Sequence, residues 1–264
     1  MKADGGSGQL NREVDRIQAM INSPQHRDMR RHGKLTTGIR PRNAATLVLV
    51  DGRPGDFRVL MGKRHHSLKF MPGALVFPGG SVDRSDGSIP AGTGLTRQTE
   101  QIIMRNMRGK PTSRAAHALG MAAIRELSEE TGILLGKSRE NPVTHPDWRE
   151  FADRSVMPSL GGLRVLSRAI TPPGPPRRFD TWFFICHIGE IAHVPAGGFR
   201  PSGELEGLQW IRPEEAIASD TREITRVMLV EAMNRLDSDP DLTAGLPAPF
   251  YQSVRNRFEK VQMT

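Results

Sequence analysis

Three glutamates on one predicted helix constrain this chain more than any other feature of its sequence. They lie in the segment Arg125–Ile133, RELSEETGI, and the apolar residues upstream of it recur at spacings of three and four. This periodicity predicts a helix from about Arg114 to Thr131, with Ser113 as its N-cap. Gly132 follows, and glycine is the residue that most readily takes the left-handed conformation at a helix end.

The predicted helix places all three carboxylates on one face, because Glu126 lies three residues before Glu129 and four before Glu130. Like charges this close repel one another, and hard cations such as Mg²⁺ and Mn²⁺ relieve the repulsion. Arg125 lies four residues before Glu129, at the spacing of a helical ion pair. Three glutamates alone are more often a solvated acidic face, so the flanking residues decide the interpretation.

The flanking residues resemble the Nudix box, whose pattern is G-x5-E-x7-R-E-U-x-E-E-x-G-U with U a bulky apolar residue. Arg125–Ile133 matches the second half at every specified position, and Phe77–Gly80 is similar to its start, with Gly80 as the opening glycine. Asp86 stands where the family usually has glutamate. Thirty-eight residues separate Asp86 from Arg125 instead of 7, so an insertion of 31 residues splits the box.

The split box is similar to that of one subgroup, the mammalian peroxisomal CoA diphosphatase and its bacterial relatives. Phe70–Gly73 and Arg177–Thr181 resemble that subgroup too. CoA-cleaving Nudix enzymes share the upstream signature L-L-T-x-R-[SA]-x3-R-x3-G-x3-F-P-G-G, and Leu60–Gly80 keeps its spacing, with Arg64 as its first arginine. The residue types depart from the signature at Met61, Gly62, His65 and Lys69.

The resemblance implies an α/β fold, namely an α/β/α sandwich around a mixed β-sheet with a helical insertion inside the Nudix box. We expect residues 1–40 to be a peripheral extension and residues 41–264 to form the Nudix domain, ending in C-terminal helices. The insertion spans about residues 87–124. A helix predicted over residues 95–108 of the insertion is expected at the mouth of the site.

The resemblance also implies a metal-dependent hydrolase that cleaves a phosphoanhydride bond in a nucleoside-diphosphate-linked metabolite, with CoA or acyl-CoA as the leading substrate. Glu126, Glu129, Glu130 and the backbone carbonyl of Gly80 are the implied ligands for Mg²⁺ or Mn²⁺. Arg125 and Glu126 are also assigned to the catalytic machinery. Such ions clamp phosphate oxygens and lower the pKa of bound water.

The carboxylate that activates the water stays open at this point. Glu129 of the box is one candidate, and Glu204 and Glu206, in a predicted loop before a strand at Leu208–Ile211, are the others. Exposed loop acids are an equally good interpretation of Glu204 and Glu206.

Three cations are candidates for binding the phosphates of the substrate, to which an arginine can offer paired donors. Arg64 and Lys69 are the first two, with surface cations at a strand end as the equal alternative. Arg178 is the third, although the sequence favours a structural role for it, paired with Asp180 or Asp83.

Composition leaves several alternatives open. The formal net charge of +8 suits a polyanionic small molecule as well as RNA, but the cations are scattered and no nucleic-acid motif is present. No apolar run approaches the roughly 18 residues of a membrane span. The N-terminal sequence lacks a secretory signal, and with the single Cys186, expected as a core filler, this indicates a cytoplasmic protein.

The rival functions are hydrolysis of ADP-ribose or a dinucleotide, a catalytically silent Nudix binding module, and an RNA-processing protein. The expected partner is a small diphosphate-containing substrate, without nucleic acid or membrane, and a homodimer is left open. Because all three box glutamates are present, the silent module is the weaker interpretation.

Overall fold

The computed structural model describes most of the chain beyond residue 38 and part of what precedes it. The described residues are 12, 14–19, 22–23, 39–66, 73–140, 143–173, 175–200, 203–219, 221–254 and 257–264. Lys69, predicted to bind substrate, lies outside the described residues, as does most of the Phe70–Gly73 segment.

The β-branched and apolar runs of the sequence form two β-sheets. In chain order the strands of the described residues are β1 (Arg42–Arg53), β2 (Asp56–Arg64), β3 (Leu75–Val76), β4 (Gly79–Ser81), β5 (Leu134–Ser138), β6 (Val156–Pro158), β7 (Arg164–Ile170), β8 (Phe179–His187), β9 (Ile191–His193), β10 (Leu205–Ile211), β11 (Ala248–Val254) and β12 (Arg257–Met263).

The larger sheet is mixed, as expected. Its order is β10-β2-β1-β8-β7-β11-β12, with β3 paired to β2 and β4 paired to β1. β1 runs parallel to β8 and β7 runs parallel to β11, while the other pairs are antiparallel. The smaller sheet has the order β6-β5-β9. The pairing of β1 with both β4 and β8 brings the glycines before Ser81 beside the centre of the large sheet.

Beyond residue 38, the α-helices of the described residues are α1 (Arg97–Asn106), α2 (Ser113–Thr131), α3 (Arg149–Asp153), α4 (Pro213–Ala218) and α5 (Glu223–Ser238). Helix α2 is the predicted box helix and ends as predicted, because Gly132 has φ 77° and its N–H donates to the Ser128 carbonyl at 2.8 Å. Its N-cap was predicted wrongly. The cap is Thr112, whose Oγ1 accepts from the Ala115 N–H at 3.1 Å, one residue before Ser113.

Apolar side chains cover both faces of the large sheet, which confirms the α/β/α sandwich. Successive strand residues point to opposite faces. Leu47 and Leu49 of β1 therefore belong to the core that includes α2, whereas Val48 and Val50 belong to the core that includes α5. The fully buried Cys186 is part of the α2 core, as expected for a core filler.

The insertion in the box is structured. Helix α1 begins at residue 97, and its buried Thr99, Ile102 and Ile103 pack toward α2 and β7. Thr99 Oγ1 donates to the Leu163 carbonyl at 3.3 Å, just before β7. After a turn, α2 begins at Ser113, which is still within the insertion, so the insertion also supplies the first turns of the box helix.

The two ends of the chain pack together. Residues 14–19 are helical, with Val14 and Ile17 buried against the α5 side of the sheet. Gln18 Nε2 and Asn22 Nδ2 donate to the Phe258 carbonyl at 3.2 and 2.9 Å. The hairpin of β11 and β12 was not anticipated from the sequence, which indicated only helices in this region. Within the described part of the chain, no helix has both the length and the apolar character needed to cross a membrane.

Candidate active site

The two halves of the split box meet at a pair of glycines. Gly79 donates its N–H to Glu130 Oε2 at 2.9 Å, a contact between residues 51 positions apart. A Cβ atom at Gly80 would lie 2.5 Å from the carboxyl group of Glu126, closer than real Cβ contacts allow. Glycine is therefore required at position 80 by the close approach of a carboxylate from α2.

Arg125 is the hub of the ionic contacts on α2 and is almost fully buried. Its Nε and Nη2 donate to the two carboxylate oxygens of Asp86 at 3.0 and 3.2 Å. Nη1 donates to Glu126 at 2.9 Å and to Glu129 at 3.1 Å, which confirms the predicted pair with Glu129. Nη2 also donates to the Ser81 carbonyl at 2.8 Å. Asp86 thus closes the box across the insertion.

Burial and charge set the protonation behaviour of this hub. Burial alone would lower the pKa of Arg125, but the hydrogen bond and charge of Asp86, with Glu126 and Glu129, outweigh it and raise that pKa. For Glu129, burial raises the pKa and Arg125 lowers it, with a net rise. The guanidinium therefore stays charged between the carboxylates.

The three box glutamates do not share one environment. Glu130 is 3% exposed and is held at Gly79, and Glu126 lies beside Gly80. Glu129 is more open and lines a different cavity of about 680 Å³, together with Ser128 and Arg200. Among the described residues, no three acidic, histidine or cysteine side chains are already arranged around a common metal position.

The two inner glutamates are buried acids that repel one another. Burial raises the pKa of Glu126 to about 7; Arg125 opposes the rise, and Glu129 and Glu204 add to it. Burial also raises the pKa of Glu130 well above its ordinary value, with further rises from Glu126 and Glu204 that the Gly79 N–H and Arg64 only partly offset. A cation bound here would offset both the cost of burying the charged carboxylates and the repulsion between them.

A cavity of about 400 Å³, the box cavity, opens beside these glutamates. Its polar wall combines Glu126 and Glu204 with the cations Arg64 and Arg177. Its apolar wall is formed by Val76, Phe77, Phe179, Phe183 and Ile224. Helix α1 contributes nothing to this lining, so the expectation that the insertion helix lies at the mouth of the site was wrong. The apolar residues of α1 are buried toward α2 and β7 instead.

The two later glutamates differ in position. The strand predicted at Leu208 begins at Leu205, so Glu206 lies in β10 and its placement in a loop was wrong. Leu205 pairs with Arg64 across β2, which brings Glu204 to the box cavity. Glu206 Oε1 lies 2.8 Å from His65 Nε2 and is not part of that cavity's lining. Strand pairing, which a single sequence does not reveal, separates them.

The predicted substrate cations are also only partly brought together. Arg64 lines the box cavity, but Arg178 does not, and its neighbour Arg177 takes that place. Arg178 Nε and Nη1 donate to the carbonyls of Thr171 and Ile39 at 3.0 and 2.9 Å. The expected ion pair of Arg178 with Asp180 was wrong, because Asp180 pairs with Arg168. Adjacent side chains of an extended segment point in opposite directions, and this was the one sequence signal that Arg177 could reach the box cavity when Arg178 does not.

Comparisons with known proteins identify the family of the chain. The family model of the NUDT19 Nudix domain matches residues 41–227. The chain belongs to the Nudix hydrolase family. The matched region spans both halves of the split box, and the resemblance seen in the sequence is confirmed.

Curated Nudix relatives carry a more specific name. The chain is 30% identical over 210 residues to acyl-coenzyme A diphosphatase NUDT19 of Xenopus laevis, covering 61% of this chain and 54% of that protein. It is 28% identical over 253 residues to the Homo sapiens protein of the same name, covering 70% of this chain and 66% of that protein. The chain therefore spans little more than half the length of the frog relative.

A solved Nudix structure has the same fold. The crystal structure of a Nudix hydrolase from Alicyclobacillus acidocaldarius superposes with a TM-score of 0.56 at 25% identity. The match covers 77% of this chain and 94% of that one. The sandwich described above is thus the Nudix fold.

Proposed function

We propose that this Nudix protein hydrolyses a phosphoanhydride bond in a nucleoside-diphosphate-linked metabolite with the help of divalent metal ions, and that CoA or acyl-CoA is the preferred substrate. The observation that carries the proposal is the meeting of Glu126 and Glu130 with Gly79 and Gly80 beside a cavity that also holds Arg64. Buried acids on one side and a cation on the other suit a metal-bound diphosphate.

The residues present fit Mg²⁺ or Mn²⁺. Carboxylate and carbonyl oxygens are the ligands these hard cations prefer. Glu126 and Glu130 would hold the metal with the Gly80 carbonyl, and Glu129 would join from the adjacent cavity. When bound, the metal would offset the charge of the diphosphate and lower the pKa of the attacking water. Arg125 fixes the orientation of Glu126 and Glu129 through Nη1.

We assign the activation of the water to Glu204. It lines the box cavity together with Gly79 and Gly80, whereas Glu206 pairs with His65 and Glu129 is bound to Arg125. A general base must lie within hydrogen-bond reach of the water, and the acids of this cavity meet that condition best. Glu204 would accept a proton from the water as its oxygen attacks phosphorus and the anhydride oxygen leaves with its electron pair.

Two features of the box cavity favour CoA over other diphosphates. Arg64 and Arg177 provide guanidinium groups for phosphate oxygens. The aromatic wall, with Phe77 and Phe179, offers an apolar surface for the adenine or the pantetheine arm. The relatives from frog and human are named acyl-CoA diphosphatases. ADP-ribose and dinucleotides share the diphosphate but lack the 3′-phosphate and the thiol arm.

The first test is a turnover screen with product identification in Mg²⁺ or Mn²⁺, using CoA, an acyl-CoA, dephospho-CoA, ADP-ribose and a dinucleotide. Glu130→Gln should lower turnover at least about 100-fold, because an amide is a poor metal ligand while it still accepts from Gly79. Glu214→Gln, an exposed change of the same type on α4, should match the wild type.

Several results of this screen would count against the proposal. Turnover by Glu130→Gln equal to that of the wild type would show that Glu130 of the box is not needed for the reaction. Binding of these ligands without turnover of any of them would favour the silent binding module. Preference for ADP-ribose would correct the substrate but keep the chemistry. Tight, steeply salt-dependent binding of RNA would favour the RNA-processing alternative.

A matched pair of variants tests the assignment of Glu204. Glu204→Gln should lower the maximal rate roughly 100-fold with little change in the apparent affinity for metal. Glu206→Gln should stay within about twofold of the wild type, since its carboxylate contacts His65 outside the box cavity. Initial rates at saturating metal and substrate give the comparison. The opposite ranking would move the base to Glu206, and no effect of either would return it to Glu129.

A further inference from the structure

A separate cavity of about 480 Å³ lies where the end of the insertion meets β7 and β11. Its walls include Arg108, Arg168, Arg178, Phe250, Gln252 and Ser253. We propose that this cavity, the insertion cavity, binds a small organic phosphate, a phosphate monoester such as a nucleotide. The site is distinct from the box cavity and does not depend on the proposed hydrolysis.

The charges of the insertion cavity do not cancel. Arg168 is neutralised, because its Nε and Nη2 donate to both oxygens of the buried Asp180 at 2.7 and 2.6 Å. Arg178 donates hydrogen bonds to the neutral carbonyls of Thr171 and Ile39, which do not offset its charge. Within the described part of the chain, no carboxylate lies within 4.0 Å of a nitrogen of Arg108 or Arg178. Two positive charges therefore face one cavity with no carboxylate counter-ion from the described residues.

The positive charges of Arg108 and Arg178 repel one another. Burial lowers the pKa of Arg178, and the positive charge of Arg108 lowers it further. An anion between them would remove this cost. A phosphate suits the position, because guanidinium groups bind its oxygens through paired donors. Gln252 and Ser253 add neutral polar groups, and Phe250 adds an apolar wall for the organic part of the ligand.

The position of the cavity gives the insertion a role beyond packing. Asn106 ends α1 and Arg108 follows it, so both of these lining residues come from the segment that splits the box. An uninterrupted box would not supply them. Arg177 lines the box cavity and Arg178 lines the insertion cavity, so consecutive residues serve different cavities. Ligand binding to the insertion cavity can therefore be tested separately from ligand binding to the box cavity.

Calorimetric titration in EDTA tests the site, with adenosine monophosphate, inorganic phosphate and adenosine as probes. Without metal, the box carboxylates repel phosphate, which isolates the insertion cavity. Adenosine monophosphate should bind more tightly than inorganic phosphate, and adenosine should not bind. Arg108→Gln should weaken the binding of the nucleotide about tenfold or more, because one charged donor is lost.

Two control variants make the result specific. Arg105→Gln removes the same charge from an exposed position of α1 and should leave binding within about twofold of the wild type. Arg177→Gln removes a cation of the box cavity and should also leave binding unchanged. The proposal is overturned if the wild type binds neither phosphate probe, if Arg108→Gln binds like the wild type, or if Arg177→Gln alone abolishes binding. The turnover of the diphosphate substrate by Arg108→Gln is measured in a separate assay. Failure of the binding proposal and failure of the proposed hydrolysis can then be told apart.

Discussion

Two buried arginine–aspartate pairs occupy different regions of the molecule and have nearly the same geometry. Arg125 binds Asp86 through Nε and Nη2 at 3.0 and 3.2 Å, and Arg168 binds Asp180 through the same atoms at 2.7 and 2.6 Å. All four side chains are at most 3% exposed. The pairs differ in what lies around them.

The surroundings decide what each pair does. Arg125 has a third nitrogen that reaches Glu126 and Glu129, so this pair orients acids at the box cavity and the cavity beyond it. The Arg168 guanidinium lies 5.0 and 4.5 Å from the ring centres of Trp182 and Phe250 and also donates to the Asn106 carbonyl. The first pair orients the acids that we propose to hold the metal, and the second joins the insertion to the sheet. The same type of buried pair thus has different neighbours according to the further contacts of its arginine.

The largest expected effect comes from removing each arginine. Arg168→Leu should lower the free energy of unfolding by about 3–5 kcal/mol, because Asp180 remains buried without its partner. Turnover per folded molecule should not change. Arg125→Leu should also destabilise the fold, but its turnover per folded molecule should fall at least about 100-fold.

Urea unfolding and rates at saturating substrate separate the two outcomes. Equal loss of turnover in both variants, after correction for the folded fraction, would show that the two pairs do not differ as described. A stable Arg168→Leu protein would show that the aromatic rings, rather than the ion pair, hold the insertion.

The acids around Arg125 should make stability depend on pH when metal is absent. The pKa of Glu126 is raised to about 7 in the folded state, so the folded protein binds a proton more tightly than the unfolded chain. The stabilisation is complete below the unfolded pKa, near 4.5, and is lost as the pH rises through about 7. In EDTA, the free energy of unfolding by urea should fall between pH 5 and pH 8. The fall should be about 2–3 kcal/mol larger in the wild type than in Glu126→Gln.

Metal provides the control for this pH effect. Saturating Mg²⁺ should abolish the extra loss at pH 8, because the ion replaces the proton as the partner of the carboxylate. An identical pH dependence of wild type and Glu126→Gln would show that Glu126 titrates normally. That result would separate the buried acids from the proposed metal site.

The smallest expected effect concerns the ring beside Arg168. Phe250→Leu keeps an apolar residue but removes the contact between ring and guanidinium at 4.5 Å. We expect a loss of about 1 kcal/mol in the free energy of unfolding and no change in turnover. Thermal or urea unfolding measures it. A loss as large as that of Arg168→Leu would mean that the ring contributes as much as the ion pair.

Much of the box was readable from the sequence, because it depends on local spacing. The spacing of Glu126, Glu129 and Glu130, with Gly132 behind them, fixed the helix, and the family pattern placed Gly80 beside it. The helix spacing could not show that Glu129 faces a different cavity from Glu126, since both lie on one broad face of α2.

The rest depended on pairing between distant segments. Glu204 reaches the box cavity only because β10 pairs with β2, and Arg168 takes Asp180 because β7 pairs with β8. A short stretch of sequence does not show the register of either strand pair. The same reason explains why the sequence placed the insertion helix at the mouth of the site, when the partners of α1 are α2 and β7.

The central claim is that Glu126 and Glu130 converge on Gly79 and Gly80 to hold a divalent cation. Titration of the metal-free protein with Mn²⁺, followed by electron paramagnetic resonance, tests it most directly. The wild type should bind Mn²⁺, and Glu130→Gln should bind it at least about 10-fold more weakly while Glu214→Gln matches the wild type. Equal affinity of Glu130→Gln and the wild type for Mn²⁺ would contradict the claim.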